Sequence, residues 1–109
     1  MKTININFFV SGTKITIPFK AICSIVDKEF EGNITIEYHP NKKVIEYVSA
    51  EKVIREITKE KLTAEELAHK IFRVIETSVS PKYLKVLIDV YKSKAHQPVQ
   101  VWIEKEFKQ

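Results

Sequence analysis

The chain has 109 residues, the usual size of one domain, and 44% hydrophobic content with only two glycines excludes a disordered or low-complexity chain. Eighteen Lys and Arg against fourteen Asp and Glu leave a net charge of +4, compatible with a polyanionic partner but too small for a dedicated nucleic-acid coat. One cysteine excludes an internal disulfide, no leader pattern is seen, and no apolar run nears the roughly 18 residues that span a bilayer; a cytoplasmic single domain over residues 1–109 is expected.

Ile4, Ile6, Phe8 and Val10 alternate with polar positions, and after Ser11-Gly12-Thr13 the alternation resumes at Ile15, Ile17 and Phe19, which predicts a hairpin. Pro18 is expected to end regular pairing, leaving residues 20–32, with Cys23, as a long irregular connection. Ile34, Ile36 and Tyr38 alternate with Thr35 and Glu37 until His39-Pro40-Asn41, and a short extended piece follows at 44–47. Asn33-Ile34-Thr35 is thus strand sequence rather than a glycosylation site.

Ser49 is the expected N-cap of a first helix with Val53, Ile54 and Ile57 on one face, stopping near Lys59. Thr63 and Glu66 have capping-box spacing at the start of a second helix, with Leu67, Ile71, Val74, Ile75 and Ser78 along its stripe and Ser80-Pro81 as its stop. Leu84, Val86, Ile88 and Val90, then Val99, Val101 and Ile103, predict two strands joined through Ala95-His96-Gln97-Pro98. The order strand, strand, helix, helix, strand, strand fits an α+β fold, one antiparallel sheet with both helices on one face.

Three stretches in this order, Cys23, Ile34-Thr35-Ile36-Glu37-Tyr38-His39-Pro40, and Lys42-Lys43-Val44-Ile45-Glu46 with Ser49, resemble the run around the reactive cysteine of the QueF nitrile reductases and their QueF-like archaeal relatives. Glu65-Glu66-Leu67-Ala68 and Pro81-Lys82-Tyr83-Leu84-Lys85-Val86 extend the resemblance over roughly residues 20 to 104. It implies the tunnelling fold (T-fold), in which subunits close their sheets into a cyclic homo-oligomer and bind purine-like or pterin-like compounds at subunit interfaces. The reductase branch carries a Glu-x-Lys-Ser-x-Lys type motif and an Arg-Gly-Gly run; here the first reads Glu46-Tyr47-Val48-Ser49-Ala50-Glu51 and the second is missing. The chain therefore looks like the QueF-like archaeosine synthases, amidinotransferases that add ammonia to the nitrile of 7-cyano-7-deazaguanine in tRNA and need no nicotinamide or other cofactor.

The resemblance implies Cys23 as the thiolate that adds to the nitrile carbon, forming a thioimide. The family's partner aspartate stands seven residues beyond the cysteine, where this chain has Phe30; of the nearby carboxylates Asp27, Glu29 and Glu31, Asp27 is the candidate for the role. The plain alternative for Cys23 is a small buried hydrophobe between Ile22 and Ile25. Glu65, left out of the capping box, matches the glutamate that binds the hydrogen-bonding edge of the heterocycle; its plain alternative is a carboxylate favouring the helix dipole. The histidine preceding that glutamate in the family is Ala64 here. His69 faces away from the helix stripe, and His39 and His96 sit by turns where exposed imidazoles are ordinary. No zinc-ligand spacing occurs, so no metal is expected. The competing functions are a non-catalytic T-fold module binding a modified purine, pterin or RNA, and a purely structural oligomer subunit.

Overall fold

The computed structural model describes residues 1–108. Its elements are β1 (Thr3–Asn5), β2 (Thr13–Ile22), β3 (Glu29–His39), β4 (Lys43–Ile45), α1 (Tyr47–Ile57), α2 (Ala64–Val79), β5 (Tyr83–Ser93) and β6 (Val99–Glu106). Strands β2, β3, β5 and β6, neighbours in that order, form an antiparallel sheet, while β1 and β4 pair separately.

Alternation sets which face is covered. Ile17, Phe19 and Ala21 of β2, Ile34, Ile36 and Tyr38 of β3, and Leu84, Val86, Ile88 and Val90 of β5 are buried on one side. Ala50 and Ile54 of α1 and Leu67, Ala68, Ile71, Phe72, Ile75 and Val79 of α2 complete that core, so both helices lie on the same face, as the sequence predicts. Among the described residues no polar or charged side chain is fully buried except the tyrosine Tyr38, whose hydroxyl accepts from the Ile45 amide at 2.8 Å and so ties the small sheet to the large one.

The second helix follows its sequence closely. Thr63 caps it and Glu66 closes the box, with Glu66 N donating to Thr63 Oγ1 at 3.1 Å and Thr63 N donating to Glu66 Oε1 at 3.1 Å. Ser80 ends it in the left-handed region at φ 48°, ahead of Pro81. Its buried stripe is broader than expected, taking in Ala68, Phe72 and Val79, while Val74 is half-buried.

Three expectations at the N-terminal end are corrected. The segments before and after Ser11-Gly12-Thr13 do not pair with each other: β1 pairs with β4, Ile4 opposite Val44, and β2 pairs with β3. Pairing does not stop at Pro18, which sits opposite Asn33 in a register running on to Ile22 and Glu29. Strand β2 is an edge of the sheet, so the amide hydrogen that proline lacks can be the one that would face away from β3. The irregular connection thus shrinks from residues 20–32 to 23–28. Finally, the cap of α1 is Glu46, whose carboxylate accepts from Val48 N at 2.6 Å and Ser49 N at 3.2 Å. Ser49 Oγ instead accepts from the Lys2 amide at 2.8 Å.

Gly32 answers a close approach. Opposite the irregularity between Glu31 and Gly32, where Tyr91 is the extra residue of β5, a Cβ on Gly32 would lie 1.8 Å from the Asp89 carbonyl oxygen.

Candidate functional site

The antiparallel order β2-β3-β5-β6 puts the β2–β3 turn and the β5–β6 turn at the same end of the sheet. The helix pair returns to that end too: Leu62 N donates to Ile22 O at 3.0 Å, so α2 begins beside the last residue of β2. Lys94 N, donating to Glu29 O at 2.9 Å, carries the β5–β3 pairing to the edge of the second turn. Three segments distant in sequence therefore meet at one place.

Each is shaped locally. In the β2–β3 turn Cys23 N donates to Lys28 O and Asp27 N donates to Cys23 O, both at 2.9 Å, and Asp27 takes φ 57°, a left-handed conformation that aspartate tolerates. In the β5–β6 turn the Ser93 hydroxyl accepts from the amides of both Ala95 and His96 at 3.0 Å, an arrangement typical of serine in turns.

Between them lies a cavity of about 320 Å³, at the small end of the range for ligand sites. The first turn contributes Cys23, Ile25 and Val26, the start of α2 contributes Thr63, Ala64 and Glu65, and the second turn contributes Ala95, His96 and Gln97, with Val99 beside them. Its two buried members are Cys23, 5% exposed, and Ala64; Glu65, Ile25 and Gln97 are exposed. Cys23 thus has the burial of a core residue and also a place on the cavity wall.

Glu65 occupies the second position of α2, and the capping box uses Glu66, so the Glu65 carboxylate is not spent on the helix end. Asp27 is not brought to the cavity wall: its carboxylate pairs with Lys61 Nζ at 2.8 Å, with both side chains more than half exposed. Phe30, in the position of the family's aspartate, is buried and packs against Phe19 at 5.8 Å between ring centroids and against His96 at 5.7 Å.

His96, by sequence pattern an ordinary turn histidine, stands on the cavity wall. The signal that reaches it is topological: once β3 is paired with β5, the turn carrying His96 must stand beside the turn carrying Cys23. His39, by contrast, packs against the Tyr83 ring at a tilt, 4.7 Å between centroids, elsewhere on the molecule, and His69 is exposed on α2. Among the described residues no group of three or more His, Cys, Asp or Glu is placed to hold a metal ion, and no helix is long and apolar enough to cross a membrane.

No protein-family model matches the chain. It is 30% identical over 77 residues to the NADPH-dependent 7-cyano-7-deazaguanine reductase of Sulfurimonas denitrificans, a match covering 70% of this chain and 62% of that protein. The chain thus spans under two thirds of the length of that relative. The crystal structure of an archaeosine synthase, QueF-Like, in the apo form superposes with a TM-score of 0.81 over 92% of this chain and 98% of the other, at 21% identity. The shared architecture is the tunnelling fold, as the resemblance in the sequence implies.

Proposed function

We propose that this chain, whose fold and sequence likeness together support a QueF-like family, is an amidinotransferase that captures the nitrile of 7-cyano-7-deazaguanine in tRNA on Cys23 and resolves it with ammonia. The observation that carries this reading is the single cavity walled by both Cys23 and Glu65, residues 42 positions apart in the chain numbering. A thiolate adds to the nitrile carbon to give a thioimide; ammonia then adds to that carbon, the carbon–sulfur bond breaks, and an amidine leaves. Glu65 accepts hydrogen bonds from adjacent N–H groups on the guanine-like edge, and Ile25, Val26 and Val99 supply apolar contact to the ring faces.

Amidine formation is preferred to reduction because the residues at the reductase-type motif are occupied with structure here. Glu46 caps α1, Ser49 holds the Lys2 amide, and Ala50 is buried in the core. A cyclic homo-oligomer joined through the outer edges of β2 and β6 belongs to the same reading. Sedimentation at micromolar concentration tests it; a monomer rejects that arrangement.

The test of the reaction is incubation with free 7-cyano-7-deazaguanine, followed by mass measurement of the protein. An adduct on Cys23 that ammonia discharges as the amidine is the expected result. Tight binding of the base with no adduct would favour the second reading, a module that binds a modified purine, a pterin or RNA without chemistry. Phe30 in the aspartate position and Asp27 held by Lys61 are the observations on that side.

A further inference from the structure

The capture step moves a proton from sulfur to the nitrile nitrogen, and the group that carries it is not settled by Cys23 and Glu65. We infer that His96 is the proton-transferring catalytic residue of this cavity, an inference that rests on the nitrile-capture reading above. Among the described residues the titratable side chains on the cavity wall are Cys23, Glu65 and His96, and Glu65 is engaged in recognising the base. Asp27 is not on the cavity wall, and its carboxylate pairs with Lys61.

The geometry of His96 suits the role in three ways. Its amide is fixed by the Ser93 hydroxyl at 3.0 Å, so the residue is held at the backbone. Its ring rests on Phe30, the residue standing where the family's aspartate would be, at 5.7 Å between centroids. Its Nδ1 lies 2.7 Å from the Gln97 carbonyl oxygen. A carbonyl only accepts, so Nδ1 carries the hydrogen, and in the neutral ring Nε2 then presents its lone pair. A neutral imidazole with its δ nitrogen tied to a carbonyl is a base at the ε nitrogen, the arrangement that general-base histidines need.

The proton inventory then closes. Nε2 takes the proton of the Cys23 thiol; the sulfur lone pair forms the bond to the nitrile carbon while one π pair of the C≡N bond moves to nitrogen. The imidazolium returns its proton to that nitrogen, giving a neutral thioimide and neutral His96. When ammonia adds, the nitrogen gives up one proton through the imidazole to the departing sulfur, which leaves as the thiol and frees the amidine. The sum is nitrile plus ammonia to amidine, with enzyme unchanged. The loss of the aspartate at position 30 and of the helix histidine at position 64 are answered in this chain by one imidazole arriving from the β5–β6 turn.

The experiment measures Cys23 adduct formation from free 7-cyano-7-deazaguanine in wild type, His96→Ala and His96→Gln, beside the dissociation constant of the base. Both variants are expected to bind the base within about threefold of wild type and to form the adduct about 10²- to 10³-fold more slowly, the usual worth of a positioned acid–base group. Added imidazole is expected to restore part of the rate in His96→Ala and none in His96→Gln, where the space is filled. An adduct rate within about threefold of wild type in both variants overturns the inference and leaves the capture reading standing. Slowing matched by an equal loss of base affinity, with no rescue, also overturns it, since His96 would then only shape the cavity. Absence of any adduct on wild type overturns the capture reading and this inference with it.

Discussion

The middle of the sheet and its cavity end are built by opposite rules. In the middle, β3 is flanked on both sides and its inward residues Ile34, Ile36 and Tyr38 are fully buried under α1 and α2. Register there is fixed by the period-two pattern, because a slip of one residue would turn that whole set outward. At the cavity end, two turns and the start of α2, distant in sequence, meet through a few backbone hydrogen bonds such as Leu62 N to Ile22 O, and apolar side chains such as Ile25 stand 77% exposed. Changes in the middle should cost the fold, and changes at the end should cost chemistry or binding while the fold survives.

The largest effect expected on the fold side is Gly32→Ala. The added methyl carbon would sit 1.8 Å from the Asp89 carbonyl oxygen and 2.8 Å from its carbon, both backbone atoms of a central strand that no rotamer change can move. A loss of at least about 3 kcal/mol, at or beyond the upper end of ordinary overpacking, is expected in urea unfolding. A loss under about 1 kcal/mol would show that β3 and β5 part easily at the irregularity, and the contrast between the two regions would weaken.

Paired with it is a comparison of Ile71→Ala with Cys23→Ala. Both side chains are buried, but Ile71 is enclosed between α2 and the sheet whereas Cys23 borders the cavity. Ile71→Ala should cost about 2 to 5 kcal/mol and leave adduct formation intact in the folded fraction. Cys23→Ala should cost only about 1 kcal/mol, the scale of one buried methylene-sized group, and abolish the adduct. If the two lose stability equally, Cys23 belongs to the core in energetic as well as geometric terms.

Glu65→Gln is expected to act on binding alone. Its side chain is exposed and outside the capping box, so stability should hold within about 0.5 kcal/mol. The amide keeps an acceptor oxygen but loses the charge, and a charge-assisted hydrogen bond is worth about 1.5 to 3 kcal/mol. Calorimetric affinity for the free base should therefore fall at least about tenfold, with unchanged affinity removing Glu65 from the recognition role.

The two regions also differ in how far the sequence discloses them. The middle is legible residue by residue: the alternation from Leu84 to Val90 and the Thr63–Glu66 box name the elements, since each depends on neighbours close in the chain. What alternation does not name is a strand's partner. Residues 4–10 and β2 each look like strands, and a turn-forming Ser11-Gly12 lies between them, yet the long apolar register of β3 competes better for β2 than the three-residue β1 does. Pro18 and Ser49 mislead for a related reason: proline is harmless on an edge, and a serine cap yields to Glu46 once the N-terminus takes the serine hydroxyl. At the cavity end Cys23 and Glu65, singled out through the resemblance, line the cavity, whereas Asp27 does not and His96 does. Which of the two faces the cavity depends on a left-handed turn and a cross-sheet neighbour, neither of which leaves a local mark.

The smallest effect lies at the opposite end of the sheet, where Tyr83 donates its hydroxyl to Glu104 Oε2 at 2.6 Å across the β5–β6 pair. The hydrogen bond to this carboxylate, with minor help from burial and neighbouring glutamates, pushes the Tyr83 phenol up to about 12. Because the folded value lies above the ordinary value near 10, the contribution to stability is fully present below about pH 10 and is lost as pH rises towards 12. Tyr83 and Glu104 lie on the solvent side of the sheet, so screening keeps the effect on stability small. Burial also raises the Tyr38 phenol, so ultraviolet titration should show late-ionising phenols of which Tyr83→Phe removes one and Glu104→Gln shifts that one back towards 10. The cavity lies beyond the far ends of both strands, so neither variant should change adduct formation on Cys23, and a change in that rate would mean that the two ends of the sheet are coupled.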